Sequence, residues 1–235
     1  MIQNYSTLEL TNIFNQLISK NLHTQETASK QLAFFIHRNR EYSEEIISKI
    51  SRFFSTKENE LSDRVMIRSI NNVINILRAN NTQILNFLNM ILPLLFHIIF
   101  HAQRQIHEFD LIIKTIGNLI VIGGNHTSQI IESYISSLFD KFSIQEPTFK
   151  FENTKYALIS LLKEYTKHCP AIVYNKIIES FDAFSRIVDN FKDPKPAIRE
   201  ATHKLCEEFL QLLSQRDCNY KQIKYKFKFI ISIYH

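Results

Sequence analysis

The residues best suited to chemistry are few and scattered. "HIIFH", residues 97 to 101, sets His97 and His101 four apart, the spacing that brings two imidazoles to one helix face. His107 follows six residues on. A zinc site takes three or four ligands, and the glutamate of a His-Glu-x-x-His site is missing, so these read as surface or buried histidines rather than a metal centre. The stretch from Gly117 to Gly124 lacks the Gly-Lys-Ser/Thr ending of a phosphate loop and follows a helical pattern where such a loop follows a strand. "QRDCN", 215 to 219, holds an Arg-Asp pair with no metal-binding motif after it and reads as a turn. A kinase needs a phosphate cradle, a pairing lysine, a metal-binding acid and a base together. His168 and Cys169 adjoin just ahead of Pro170, which suits a helix end better than a nucleophile pair. The expectation is no catalytic residue, no cofactor and no metal.

The elements that would position any site are helical. The chain has 235 residues, 45% of them apolar and 12% aromatic, ample for a substantial core. Only three glycines and five prolines occur, too few turn formers for a sheet protein. Cys169, Cys206 and Cys218 show no ligand spacing and read as reduced thiols of a cytosolic or nuclear protein. The net charge of +5 is concentrated in residues 218–235, which hold four lysines and no acid. The rest carries 24 basic against 23 acidic residues. Lys221, Lys224, Lys226 and Lys228 alternate with aromatics, a pattern that binds single-stranded nucleic acid or forms a strand with charged gatekeepers. Outside this tail no nucleic-acid partner is expected. The most apolar window, "MILPLLFHIIF", spans 11 residues and is interrupted by Pro93 and His97, short of the roughly 20 that cross a bilayer. The N-terminus shows neither a basic nor an apolar leader region, so no secretory signal is expected.

Apolar period predicts helices over 6–20, 25–38, 43–55, 61–79, 83–102, 106–122, 127–142, 152–168, 171–191 and 195–214. Ile67, Ile70, Ile74 and Leu77 recur at threes and fours, as do Phe109, Ile112, Ile113, Ile116 and Ile120. Gly123 and Gly124 stand where a helix C-cap is expected. Paired, these helices make about five hairpins of roughly 40 to 45 residues, the period of HEAT and armadillo-type solenoids. Small-residue anchors follow the same interval. Ala157 with Leu161 and Ala201 with Leu205 lie 44 residues apart, and Ala28 with Leu32 repeats their spacing. The fold class is all-α, an α-solenoid over 1–217, with 218–235 as a separate basic tail. In "DPKPAIREATHKL", 193 to 205, Asp193 suits an N-cap and Pro194 or Pro196 the first turn. Ile198, Ala201, Leu205, Phe209 and Leu212 form the inward stripe.

The order Asp, Ile-Arg, Ala in that stretch resembles the second helix of a HEAT repeat. In that family the arginine lies against an aspartate of a neighbouring repeat, which implies a structural role for Asp193 and Arg199. The likeness extends further. From about residue 16 to 217 the chain resembles the N-terminal HEAT region of the target of rapamycin (TOR) protein kinases. "NNTQILNFLNMILP" (80–93), "KTIGNLIVIGG" (114–124) and "DPKPAIREATHKLCEEFLQLLSQRD" (193–217) carry it. Val65-Met66 stands where that family has a glycine pair, and "LLFHIIFHAQ" adds residues, either as an inserted helical extension or as an error of the gene model. After Asp217 the similarity stops, and the tail resembles translated non-coding sequence or a chain cut short. The resemblance implies a scaffold without catalysis of its own, the serine/threonine kinase domain lying beyond this segment. It also implies protein subunits of a TOR-like complex as partners, no small-molecule substrate, and a cytoplasmic place with nuclear or membrane association through the complex. The alternative is a free-standing HEAT adaptor of transport or chromatin type that binds protein or nucleic acid.

Overall fold

A computed structural model of the chain describes residues 6–56, 63–79, 85–101, 105–143 and 153–214. Among these residues the protein is all-α, with eleven α-helices, two short 3-10 turns and no strand. In chain order they are α1 (Thr7–Leu17), α2 (Leu22–Arg38), α3 (Ser43–Thr56), α4 (Asp63–Ala79), α5 (Leu85–His101) and α6 (Ile106–Gly123). They continue as α7 (Asn125–Ser143), α8 (Thr154–His168), α9 (Pro170–Glu179), α10 (Phe181–Val188) and α11 (Pro196–Ser214). Two compact units divide the chain. The first holds Met1–Ile98 with Lys114–Thr127, and the second holds Ile99–Ile113 with Ser128–His235. The residues from Gln215 onward, including the basic tail and "QRDCN", lie outside the described ones.

Local chemistry explains where these helices begin. Ser6 accepts a hydrogen bond from the Glu9 amide, and the Asn21 side chain accepts one from Thr24. Each satisfies one of the free N–H groups of a first turn. The Asn21 cap starts α2 at Leu22, three residues before the apolar stripe suggested, and α1 ends at Leu17 rather than at 20. The predicted helix over 171–191 is interrupted. Ser180, at φ −124° and ψ 48°, separates α9 from α10 with neither glycine nor proline to mark the break. Val173, Ile177, Phe184 and Val188 remain buried across it, so the apolar stripe runs on in register and hides the interruption. Pro93 lies inside α5 without ending it. Its ring faces solvent.

Each unit has its own core. In the first, Phe14 of α1 meets Phe53 of α3 with ring centroids 5.1 Å apart, above the fully buried Leu17, Ala28, Leu32 and Phe35. In the second, Phe184 of α10 meets Phe209 of α11, also at 5.1 Å, beside Ala157, Leu161 and Leu205. Every buried side chain of this size contributes about 1.5–3 kcal/mol relative to exposure. The small-residue anchors Ala28, Ala157 and Ala201 are all buried, as close helix approach requires.

The two glycines at the end of α6 serve different needs. Gly124 adopts φ +51°, the left-handed conformation that glycine enters without steric cost, and its amide bonds the Ile120 carbonyl. Gly123 is the last helical residue, and its need is space. A Cβ there would collide with the Thr127 methyl and come within 2.7 Å of Leu88 Cδ1. Gly123→Ala is expected to destabilise the protein by about 2 kcal/mol through overpacking. Gly124→Ala should cost about 1 kcal/mol through its backbone alone. Urea denaturation checks both, and Thr127→Ser should recover part of the loss in the Gly123→Ala background only.

Candidate interaction surface

Polar bonds between helices recur at the interval of one hairpin. In the first unit Gln25 Nε2 donates to Ser69 Oγ at 3.3 Å, 44 residues away, and Ser69 in turn reaches the Leu17 carbonyl at the end of α1. Asn71 Nδ2 donates to Thr115 Oγ1 at 2.8 Å, again across 44 residues. In the second unit the Tyr156 hydroxyl donates to Asp110 Oδ1 at 2.5 Å, across 46 residues. Arg186 donates to the carbonyls of Phe142 and Ser143, 44 and 43 residues back, and so occupies the C-terminal end of α7 where carbonyls lack helical partners. Burial and the Asp110 carboxylate push the Tyr156 hydroxyl up to about 12, so it stays a donor throughout the physiological range.

The family resemblance implies that Arg199 meets an aspartate of a neighbouring repeat; among the described residues its partners lie instead in the turn just before its own helix. Asp193 is 6% exposed, and its Oδ2 meets Lys155 Nζ of α8 at 2.8 Å. Its Oδ1 accepts from the Lys195 amide at 2.9 Å. Arg199 is half-buried and donates to the carbonyls of Asp193 and Pro194 at 2.7 and 2.9 Å. The charge that reaches from the preceding hairpin is therefore Lys155, while Arg199 secures the turn that presents Asp193. Asp193 also sits two residues before the position expected of an N-cap. Lys195 precedes the helix directly, its carbonyl accepting from Ile198 and Arg199, and Pro196 opens α11. Burial alone would raise the Asp193 carboxyl, but the Lys155 bond, the Lys195 amide and their charges outweigh it and hold it below the usual carboxylate value.

The chemistry-bearing residues are placed as follows. His97 and His107 are exposed, while the side chain of His101 lies outside the described ones. Gly117 is buried within α6, so its amide serves helix bonding and no glycine loop forms there. Cys169 sits between α8 and α9, and burial pushes its thiol up, away from thiolate reactivity. His168 lies 3.4 Å from Glu164. Among the described residues no group of three or more His, Cys, Asp or Glu is arranged to hold a metal. None of the described helices is long and apolar enough to cross a membrane. What α11 turns outward is charged: Glu200 bonds Lys204 at 2.6 Å and His203 lies 3.4 Å from Glu207. Exposed pairs of this kind add little stability, so this is a solvated face.

An all-α chain with cross-helix bonds at a repeat interval is a helical-repeat solenoid, and comparison with known sequences adds a relative. The chain is similar to the serine/threonine-protein kinase tor1 of Schizosaccharomyces pombe, 24% identical over 221 residues. The match covers 87% of this chain and 9% of that protein. No model of a known protein family matches the sequence.

Lys155 escaped sequence reasoning because nothing local marks it. The signal available was a charge of opposite sign 38 residues before Asp193. Asp193→Asn is expected to lower stability by about 2 kcal/mol at pH 7, the scale of a hydrogen bond to a charged group. Because the folded-state carboxyl is depressed, this contribution is complete above the unfolded value near ~4 and is lost as pH falls through the folded value. The gap between variant and wild type should therefore close on acidification. Arg199→Ala should cost about 1–2 kcal/mol with no such closure, since its acceptors are carbonyls. Thermal melts at neutral and acid pH distinguish the two.

Proposed function

We propose that this chain is a docking segment of a TOR-type serine/threonine kinase, a run of HEAT-like hairpins that receives regulatory subunits while the phosphoryl-transfer chemistry resides elsewhere in the parent polypeptide. The similarity to the fission-yeast kinase, running along 87% of this chain, carries the reading. Its support in the fold is a set of cross-helix bonds, present in both units, that span 43 to 46 residues, which suits stacked hairpins with extended solvent-facing surfaces.

An antibody raised against residues 193–217 should detect, in denatured cell extract, a polypeptide many times heavier than 235 residues. Its native isolate should carry serine/threonine kinase activity. A band at the size of this chain with no kinase attached would overturn the reading. Salt-dependent nucleic-acid binding that survives removal of 218–235 would then favour a free-standing adaptor.

A further inference from the structure

The first hairpin carries most of the large apolar side chains that the described residues leave in water. Leu8 is 73% exposed, Leu22 54% and Phe34 64%. Leu8 and Phe34 line one groove of about 620 Å³ between α1 and α2, floored by Ile13 and edged by Glu9, Gln16 and Lys30. Its position follows from helical geometry. Phe14 and Gln25 are the residues through which α1 and α2 meet α3 and α4. At about 100° per residue, Glu9 and Asn12 lie roughly opposite Phe14, and Phe34 lies opposite Gln25. The groove therefore occupies the side of the hairpin that faces away from α3 and α4.

Arg38 bonds Glu9 at 2.7 Å, tying the end of α2 to the start of α1. Its guanidinium also lies 5.9 Å from the Phe34 ring centroid and 5.6 Å from that of Phe35. With the Glu9 carboxylate engaged by Arg38, Lys30 is the lining charge that has no ion pair among the described residues. From Ser6 to Gln16 the wall runs about 15 Å, three turns of a helix. The opposite side of the same hairpin is covered by helices. An occupant that matches this side is also helical, apolar along one stripe and acidic beside it.

We propose that the groove between α1 and α2 docks one amphipathic helix of a partner protein, which seats an apolar side chain between Leu8 and Phe34 and sets a carboxylate against Lys30. The inference rests on the docking role proposed above and names the chemistry of the partner.

The test uses the full chain and a synthetic 14-residue helical peptide with leucines at i, i+3 and i+7 and glutamates flanking them, beside a twin with lysines for glutamates. Fluorescence anisotropy should show the acidic peptide binding more tightly than the twin. Lys30→Glu should weaken the acidic peptide about fivefold and reverse the preference. Phe34→Ser should weaken both peptides at least tenfold, on the scale of a central aromatic anchor. Both side chains are exposed, and far-UV circular dichroism verifies that the helices persist. Equal binding of the twins to wild type, or indifference to Phe34→Ser, would overturn the proposal. So would a concentration-dependent dimer in sedimentation that Phe34→Ser abolishes, which would give the groove to a second copy. The titration needs no kinase: peptide binding by a chain with no kinase parent leaves the groove standing, and a kinase parent with an indifferent groove sinks the groove alone.

Discussion

A pair of helices cannot enclose its own core. When α1 packs on α2, Leu10, Leu17, Leu32 and Phe35 are buried, yet Phe14 and Gln25 still point outward and need cover. The next helices provide it. This constraint governs the rest of the structure, because each hairpin is stable only as part of a stack. It also sets where polar groups go. A glutamine or aspartate buried between hairpins must find hydrogen-bond partners there, since an unpaired buried polar group is costly.

Gln25, 0% exposed, satisfies itself on Ser69, and Asp193 satisfies itself on Lys155. These bonds add modest net free energy, since each replaces a bond to water. Their larger effect is on register. Sliding one helix by a turn past its neighbour would break the Gln25–Ser69 and Asp193–Lys155 bonds between hairpins, at a cost that apolar contacts alone would not impose. Arg186 does similar work at the end of α7, where a guanidinium meets carbonyls that the helix leaves open. Stacking by apolar contact and alignment by polar contact are thus separate tasks with separate residues.

Much of the fold was legible because it depends on period. Ten helices were readable from apolar spacing, and the anchors Ala157 and Ala201 gave the repeat interval from their separation, with Ala28 and Leu32 repeating the local pattern. The break at Ser180 was not legible, since the stripe from Val173 to Val188 keeps its phase through it. The role of Arg199 was misplaced for a related reason. Family likeness pointed to an aspartate on a neighbouring repeat, but the arginine donates to the carbonyls of Asp193 and Pro194, and Lys155 takes the carboxylate. Gly123 and Gly124 looked like one cap and proved to answer two demands, space at the first and a left-handed backbone at the second.

Sequence by itself determined the class: helices throughout the described residues and a repeat near 44. These are properties of spacing along one strand of chain, and spacing is what a sequence records. Only the tertiary structure decided which charge meets Asp193, which carbonyls Arg199 and Arg186 receive, and where Leu8 and Phe34 stand exposed together. Those outcomes depend on distances between residues far apart in the chain, set by how one hairpin settles on the next.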